Sequence, residues 1–314
     1  MKKKAIIISL KGEKLTNKEE ILLSKENPWG LILFKRNIKT LKQVQKLIKK
    51  IRILTRDKKF PILIDEEGSA VSRLRNLIHH DISANYFGKL YLINKLLSIN
   101  LYKTYLNLLC KKLKIIGINI NTIPVLDILR KKTNKVIGIR SFSNNSVIAG
   151  IFGKITVNQC KKNKIINVIK HIPGHGCTSS DSHFKLPKVN ISYHNLNSKD
   201  FFPFKRNPAK LAMTAHVLYK KIDHINVATF SKKIIKEIIR KKIGFKGILI
   251  SDDISMKALK YDLITNSRKS LDAGCNLVLY CAGNIKDNFK LIKSVPYIDS
   301  FTSKKTSEIY KILG

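Results

Sequence analysis

Two neighbouring carboxylates are the first candidates for chemistry in this chain of 314 residues. The apolar run 247–252 ends in Asp252, and Asp253 follows it directly. Neighbouring side chains on a strand point to opposite faces, so only one of the two acids can easily enter a shared site. A carboxylate at the end of a hydrophobic strand costs free energy unless it has a partner or a role. We therefore predict that one acid reacts, and that Asp253 or Ser255 caps a helix beginning near Met256.

A second group of ionisable residues lies further towards the N-terminus. Lys170 and His171 end another apolar run, after which Pro173 and two glycines favour an irregular backbone. Asp181 can hydrogen-bond to His183 two residues further on, fix its tautomer and raise its basicity. The clustering of these ionisable side chains indicates acid–base chemistry rather than an incidental surface loop.

A metal site is the alternative for this segment, because His171 and His175 are four residues apart. That spacing brings two ligands together only on a helix, and Pro173 with Gly174 opposes a helix there. We therefore predict no metal and no other cofactor.

A third candidate is the segment that follows the apolar run 61–65. Asp65 ends this run, two glutamates and a glycine come next, and Arg73 lies in the turn or helix beyond. An acceptor carboxylate combined with a guanidinium donor suits the binding of sugar hydroxyl groups. An ordinary salt-bridged turn explains the same residues equally well, so the residues alone leave both interpretations open.

The elements that must position these residues follow a regular rhythm. Apolar runs lie at 5–10, 30–34, 61–65, 115–120, 165–171, 211–216, 247–252 and 277–281. Helix-like segments lie at 40–53, 97–112, 146–162, 195–204, 231–242 and 267–273. Continuous apolar runs suit strands buried on both faces of a parallel sheet, and their alternation with helices indicates βαβ units. Eight such units predict an α/β fold, a single (β/α)8 TIM barrel, with a doubly wound open sheet as the alternative.

Polar residues end or follow several of these runs. The endings are Asp65-Glu66-Glu67, Asp127, Lys170-His171, His216 and Asp252-Asp253. Catalytic residues of such barrels collect at the carboxyl ends of the strands, so the endings indicate one convergent site. Because no linker or repeat interrupts the chain, we expect residues 1–314 to form one catalytic domain.

The chain is strongly basic, with 61 Lys and Arg against 21 Asp and Glu and a net charge of +40. Such a charge suggests nucleic-acid binding. However, most of the basic residues are lysines spread along the chain, beside many Ile and Asn residues, and arginine is the residue suited to bidentate recognition. This pattern favours an AT-biased genome, and we expect no specific nucleic-acid partner.

Cysteine content and hydropathy bear on location. The chain has five cysteines and no CxxC pair, which suits a reducing cytoplasm. The basic start Lys2–Lys4 is followed by an apolar run too short for a signal peptide. No run approaches about 18 apolar residues, so we expect no membrane partner and a cytoplasmic monomer.

The motifs together resemble the bacterial β-N-acetylglucosaminidases of glycoside hydrolase family 3. The segments KHIPGHG and DSHFKLP are similar to that family's KHFPGHG and DSH signature, and SDDISM is similar to its SDDLSM nucleophile motif. Further segments recur in the family's order: GLILFKRN, IDEEG with VSR, PVLDI, IGIRSF, MTAHV and SLDAGCNLVLYC. The resemblance runs from about Gly30 to Cys281 and implies a cytoplasmic enzyme of cell-wall recycling.

The resemblance implies roles for eight residues. Asp252 would be the nucleophile that forms a covalent glycosyl-enzyme, and His183, assisted by Asp181, would be the general acid/base. The residues implied to hold N-acetylglucosamine are Asp65, Arg73, Arg140, Lys170 and His171. The implied substrates are small amino-sugar muropeptides, N-acetylglucosaminyl-1,6-anhydro-N-acetylmuramyl peptides. We expect Lys170 and Arg140 to lower the pKa of Asp252.

Departures from the family pattern leave other functions open. Ser69 and Ala70 replace a segment that in the family carries Gly and Arg, and Asn276 stands where the family often has Asp. The expected lack of a second domain favours the hexosaminidase branch over relatives that act on plant-type glucosides. The alternatives are a β-glucosidase, an N-acetylglucosaminide phosphorylase, or a non-catalytic barrel that binds polyanions.

Overall fold

A closed barrel of eight parallel strands forms the centre of the protein, in a computed structural model that describes residues 2–130, 133–178, 182 and 185–314. In order around the barrel the strands are β1 (Lys4–Ser9), β2 (Pro28–Leu33), β3 (Ile62–Ile64), β4 (Ile120–Asn121), β5 (Ile166–Ile172), β7 (Leu211–Thr214), β9 (Ile248–Asp253) and β10 (Leu277–Leu279). Strands β6 (Lys188–Val189) and β8 (Leu218–Tyr219) form a separate two-stranded sheet. Because β10 pairs with β1, the ring is closed, which confirms the predicted barrel and excludes the open sheet.

Helices surround the barrel. They are α1 (Asn17–Glu26), α2 (Leu41–Leu54), α3 (Ala84–Ile93), α4 (Lys95–Ile116), α5 (Ser146–Lys162), α6 (Tyr193–Asn195), α7 (Leu263–Ala273), α8 (Ile285–Ser294) and α9 (Ser300–Leu313). A π-helix spans Ile234–Lys242 and a π-helical turn spans Leu196–Asp200. Side-chain oxygens that accept the first free N–H groups fix several helix starts, such as Thr16 at α1 and Asn145 at α5.

Strand alternation divides the core into two layers. Ala5 and Ile7 of β1 belong to the cluster inside the barrel, whereas Ile6 and Ile8 belong to the cluster between strands and helices. Period-two alternation therefore determines which side chains of each strand point inwards. The indole of Trp29 lies in the inner cluster and donates a hydrogen bond to Thr306 of α9 at 2.8 Å, so α9 packs against that end of the barrel.

Several predicted elements need correction. Residues 115 and 116 extend α4, because the helix continues to Gly117, whose φ of +100° ends it, and β4 begins only at Ile120. The segment 267–273 is the second half of α7, whose start is capped by Asp262. Helices α1, α3, α8 and α9 were not predicted. Helix α3 has apolar residues on both its buried and its exposed faces, so it lacks a clear amphipathic period.

Within the described part of the chain, no helix combines the length and the apolar character that crossing a membrane requires.

Candidate active site

A cleft of about 660 Å³ opens at the carboxyl ends of the barrel strands. Three charged side chains at its floor, Asp65, Lys170 and Asp252, each lie two positions after a residue of the inner core. Those core residues are Leu63, Val168 and Ile250. Because strand side chains alternate, the charged residues continue inward-facing rows. The barrel thus brings these three charged residues, which are far apart in the sequence, together at one site.

Asp252 is a partly buried carboxylate at the end of β9, and its Oδ1 accepts the N–H of Asp253 at 2.8 Å. Burial alone would raise its pKa, but His171, His216 and, to a smaller extent, Lys170 hold the pKa of Asp252 below its ordinary value. The carboxylate is therefore ionised at neutral pH, as a nucleophile requires. The expected contribution of Lys170 is present, whereas Arg140 pairs with another acid.

That other acid is Glu67, which belongs to a network of buried charges beside Asp252. The guanidinium of Arg140 donates to both carboxylate oxygens of Glu67, at 2.7 and 2.9 Å. Nζ of Lys170 lies 2.6 Å from Glu67, 3.0 Å from Asp65 and 2.8 Å from Thr122. Each charged side chain of the network thus lies next to at least one side chain of opposite charge.

Burial and pairing oppose each other in this network, and pairing determines the charge states. Burial would raise the pKa of Glu67, but Arg140 and Lys170 lower it to about 2. The pKa of Asp65 is likewise held well below its usual range by Lys170 and Arg73. Burial would lower the pKa of Lys170, but Asp65 and Glu67 raise it. The floor of the cleft therefore presents fixed charges across the neutral pH range.

His171 is oriented by a buried carboxylate. Its Nδ1 lies 2.6 Å from Oδ2 of Asp127, and Oδ1 of Asp127 accepts the backbone N–H of His175 at 2.6 Å. Burial opposes the charge of Asp127, but His171 lowers its pKa. One acid thus fixes both the imidazole at the edge of the cleft and the backbone that leaves β5.

The His175 side chain connects this backbone to the segment that follows. Its Nε2 lies 3.2 Å from Oγ of Ser182, and its Nδ1 lies 3.0 Å from Oγ1 of Thr178. Burial and the neighbouring His171 lower the pKa of His175 to about 4. His175 is therefore neutral at pH 7 and acts as a hydrogen-bonding partner.

The loop after β3 is held in place by Glu66, whose side chain is fully buried. Its carboxylate accepts the N–H groups of Arg73 at 2.8 Å and Leu74 at 2.9 Å, and lies 2.7 Å from Nε2 of His80. This arrangement returns Arg73 to the cleft, where its guanidinium lies 3.4 Å from Asp65. The predicted proximity of Asp65 and Arg73 is thus present.

Asp253 also lines the cleft, but its carboxylate is engaged in a turn. It accepts the N–H of Ser255 at 3.0 Å, the hydroxyl of Ser255 at 2.7 Å and the N–H of Cys281 at 3.2 Å. The predicted helix near Met256 is wrong. Asp253 instead stabilises a turn, and the next helix, α7, begins at Leu263. The backbone carbonyl of Asp253 lies 3.0 Å from Nε2 of the buried His216.

A second groove of about 730 Å³ lies at the opposite end of the barrel, where α2 and α4 end. Its lining contains several cations and one carboxylate, Asp57. Asp57 already accepts from Lys3 at 2.9 Å and from the hydroxyl of Tyr310 at 2.5 Å. This groove therefore offers no acid–base pair, and the smaller cleft is the candidate active site.

Comparison with known proteins places this geometry in a family. The model of the glycosyl hydrolase family 3 N-terminal domain matches residues 3–304. The chain belongs to this family.

Relatives of this family 3 barrel are hexosaminidases. A β-hexosaminidase of Nitrosomonas eutropha is 32% identical over 281 residues, which cover 88% of this chain and 80% of that protein. The crystal structure of NagZ from Neisseria gonorrhoeae in complex with N-trifluoroacetyl-D-glucosamine superposes with a TM-score of 0.90 at 28% identity, covering 98% of this chain and 90% of that one. The chain is therefore a glycoside hydrolase of the β-hexosaminidase group.

A longer family 3 protein shares the fold. The β-N-acetylglucosaminidase of Paenibacillus sp. superposes with a TM-score of 0.88 at 23% identity, covering 98% of this chain and 60% of that one. This likeness supports the barrel architecture.

Most of the predicted site residues meet in the family 3 cleft. The six that line it are Asp65, Arg73, Arg140, Lys170, His171 and Asp252. Asp181 and His183 lie outside the described residues, although Ser182 between them lines the cleft. The roles of all eight residues stay predictions.

Four further residues shape the site without having been assigned a role from the sequence. Glu67, Asp127 and His216 were recognised only as polar ends of apolar runs, and His175 only as a rejected metal ligand. The partners of Glu67 and Asp127, Arg140 and His171, lie far away along the chain. The strand-end position was the available signal for these two acids, and their partners could be found only from the barrel. The partners of His175, Thr178 and Ser182, are close to it in the sequence.

Proposed function

We propose that this protein is a retaining β-N-acetylhexosaminidase that releases terminal, non-reducing β-linked N-acetylglucosamine, with Asp252 as the nucleophile. The observation that carries the proposal is the ionised Asp252 at the floor of the cleft, beside His171 and Lys170. Retaining hydrolysis needs such a carboxylate to attack the anomeric carbon from the face opposite the leaving group.

The proposed reaction has two steps. In the first, a carboxylate oxygen of Asp252 bonds to the anomeric carbon while the glycosidic bond breaks, and His183 gives its proton to the leaving oxygen. In the second, His183 takes a proton from water, and the resulting hydroxide displaces Asp252. Asp181 would hold the imidazole of His183 in the required tautomer. The roles of both loop residues rest on the family resemblance.

The charged floor supports the proposed binding of the amino sugar. Asp65 can accept from sugar hydroxyls while Lys170 and Arg73 donate, and His171 borders the same space. Arg140 has five N–H donors, of which Glu67 and the carbonyl of Val136 engage three in the described contacts. We propose that the other two donors, which have no partner among the described residues, bind the substrate.

Muropeptides of cell-wall recycling, in the cytoplasm, are the substrates we propose. Such fragments carry peptide carboxylates, and the rim of the cleft presents Arg36, Arg73 and Lys135, whose field attracts anions. All five cysteines are free thiols, and Cys110 and Cys160 remain unbonded with their sulfurs 3.5 Å apart. Free thiols suit a reducing compartment. We propose that the barrel acts alone as the catalytic domain and as a monomer.

Chromogenic glycosides test this proposal. The wild type should release nitrophenol from 4-nitrophenyl N-acetyl-β-D-glucosaminide and not from the β-glucoside. Added phosphate should leave the product as free N-acetylglucosamine, which separates hydrolysis from phosphorolysis. Asp252→Ala should lose about a thousandfold or more in kcat. Asp262→Ala, which changes an exposed helix cap, is the matched control and should stay active. Equal activity of Asp252→Ala and the wild type would refute the proposal.

A further inference from the structure

The connection between α3 and α4 exposes a cluster of aliphatic side chains outside the catalytic cleft. Leu92, Ile93, Leu96 and Leu97 are 71%, 84%, 70% and 46% exposed, respectively. We call these four residues the apolar tip. Single exposed aliphatic residues are ordinary on protein surfaces, whereas an exposed cluster marks an interaction surface.

The hairpin geometry explains why the apolar tip faces outwards. Asn94 alone joins the two helices, and its side chain caps α4 by accepting the N–H of Leu97 at 3.0 Å. The inner faces hold each other through Ser98, whose hydroxyl donates to the carbonyl of Phe87 at 2.7 Å, and through the Phe87 and Tyr102 rings, 4.7 Å apart. The two helices thus pack against each other through their inner faces, and the apolar tip is left exposed.

The apolar tip lies at the same end of the barrel as the cleft. Helices α4 and α5 run side by side in the same direction, because Tyr102 meets Thr156 at 2.7 Å and Asn107 meets Gln159 at 2.6 Å. The start of α4 is therefore level with the start of α5. Helices of an α/β barrel begin beyond the carboxyl ends of the strands, which is the end that carries the active site.

The hairpin that carries the apolar tip has charges of one sign. The sequence contains no Asp or Glu between Asp81 and Asp127. The lysines of the hairpin are Lys89, Lys95, Lys103, Lys111, Lys112 and Lys114. Lys89 and Lys95 are exposed next to the tip, and the Lys95 ammonium lies 6.0 Å from the centre of the Tyr91 ring. The charged residues of the hairpin that carries this exposed aliphatic cluster are thus all cations.

We propose that the apolar tip docks the protein on the surface of an anionic lipid bilayer. The aliphatic side chains enter the interface while the flanking lysines contact anionic headgroups. Burial of apolar area and electrostatic attraction to the headgroups therefore both contribute to binding. The expected lack of a membrane partner rested on the lack of a spanning segment, which surface docking does not need.

Other occupants fit the apolar tip less well. In a symmetric contact with a second copy of this chain, the lysines of one hairpin would face those of the other without a carboxylate to pair them. Nucleic acid offers phosphates, but its backbone gives aliphatic side chains no apolar partner. A bilayer with anionic headgroups supplies both the charge and the apolar phase.

Vesicle sedimentation tests the docking. Full-length protein is mixed, at about physiological salt, with phosphatidylcholine vesicles or with vesicles that also contain phosphatidylglycerol. The triple variant Leu92→Ser/Ile93→Ser/Leu96→Ser should bind the anionic vesicles about tenfold or more weakly than the wild type, because it loses apolar burial at unchanged charge. The control variant Ile53→Ser/Ile225→Ser, at positions 64% and 73% exposed elsewhere, should bind like the wild type.

A fluorescent side chain provides a second readout. The only native tryptophan, Trp29, is fully buried, so Leu96→Trp adds an exposed reporter. Its emission should move to shorter wavelength with anionic vesicles, whereas that of Ile225→Trp should not.

Equal vesicle binding by the wild type and the triple variant, or no binding by the wild type, would overturn the proposal. The proposal would also be overturned if the apolar tip were required for binding a second copy of this chain or nucleic acid, but not for binding vesicles. Hydrolysis of the chromogenic glycoside should be the same in all variants, which keeps this test separate from that of the active site.

Discussion

At the residue scale, the charge of Asp252 depends on side chains from other strands. His171 belongs to β5, and His216 follows β7 and is held by Thr229 at 2.7 Å. Both histidines lower the pKa of Asp252 against the effect of burial. The charge state of the acid therefore depends on closure of the barrel as well as on the local N–H of Asp253, which donates to Asp252.

Replacing the proposed acid/base should affect substrates according to their leaving groups. For His183→Ala we expect kcat/KM to fall by about a hundredfold or more on a disaccharide of N-acetylglucosamine and N-acetylmuramic acid, whose leaving oxygen needs a proton. The 4-nitrophenyl glycoside should lose much less, because nitrophenolate leaves without one. His194→Ala, an exposed histidine in the following segment, is the control. A similar loss on both substrates would remove His183 from the role of proton donor.

Stability should depend on pH through the buried His175. Burial lowers its pKa from 6.5 to about 4 in the folded protein. Between these values the unfolded chain binds more protons than the folded one, so the free energy of unfolding should decrease as pH falls from 6.5 towards 4. Urea unfolding at pH 7 and pH 5 measures this decrease. His175→Asn should reduce it, whereas His224→Asn, at an exposed position, should leave it as in the wild type. Identical pH dependence in both variants would contradict the assignment.

Several of the residues that line the site could be predicted from the sequence, but most of the hydrogen bonds and ion pairs between them could not. The strand-end rule and the family motifs brought together residues as distant as Asp65 and Asp252, which both line the cleft. The partners of these residues could not be derived. The pairing of Arg140 with Glu67 and of His171 with Asp127 depends on where the closed barrel places the loops that follow its strands, which no local spacing records.

At the element scale, helix packing predicts that replacing two helical glycines by alanine has opposite effects on stability. A Cβ at Gly88 of α3 would lie 1.7 Å from the carbonyl oxygen of Phe142, whereas a Cβ at Gly150 of α5 would meet nothing nearer than 3.7 Å. We expect Gly88→Ala to lower the free energy of unfolding by about 1–3 kcal/mol through overpacking. Gly150→Ala should raise it by about 0.5–1 kcal/mol, because alanine favours the helix. Urea unfolding checks both, and a neutral Gly88→Ala would contradict the packing of α3.

The strands were easier to predict than the ends of the helices. Each of the eight apolar runs contains or adjoins a barrel strand, because strands buried on both faces leave a continuous apolar signal. The fourth run was misleading, since the last turn of α4 and the short β4 are equally apolar. The start of α7 at Leu263 was missed because its cap, Asp262, follows a turn that Asp253 begins.

At the scale of the whole molecule, the net charge is +40, and most of the basic residues that the structure describes lie outside the buried core. Among the described lysines only Lys3 and Lys170 are buried, and both pair with carboxylates, Lys3 with Asp57 at 2.9 Å. The excess charge is therefore exposed to solvent, where salt screens it within about 8 Å at physiological ionic strength. The fold tolerates the basic composition because the interior does not share it.

The central claim, that Asp252 is the nucleophile of a retaining enzyme, is tested most directly by trapping the covalent intermediate. A 5-fluoro analogue of N-acetyl-β-D-glucosaminyl fluoride slows breakdown of a glycosyl-enzyme, because the fluorine destabilises the positively charged transition state. Intact-mass spectrometry should show one added sugar, and peptide mapping should place it on Asp252. An unmodified protein that still turns over substrate, or a sugar attached at another residue such as Asp253, would contradict the account.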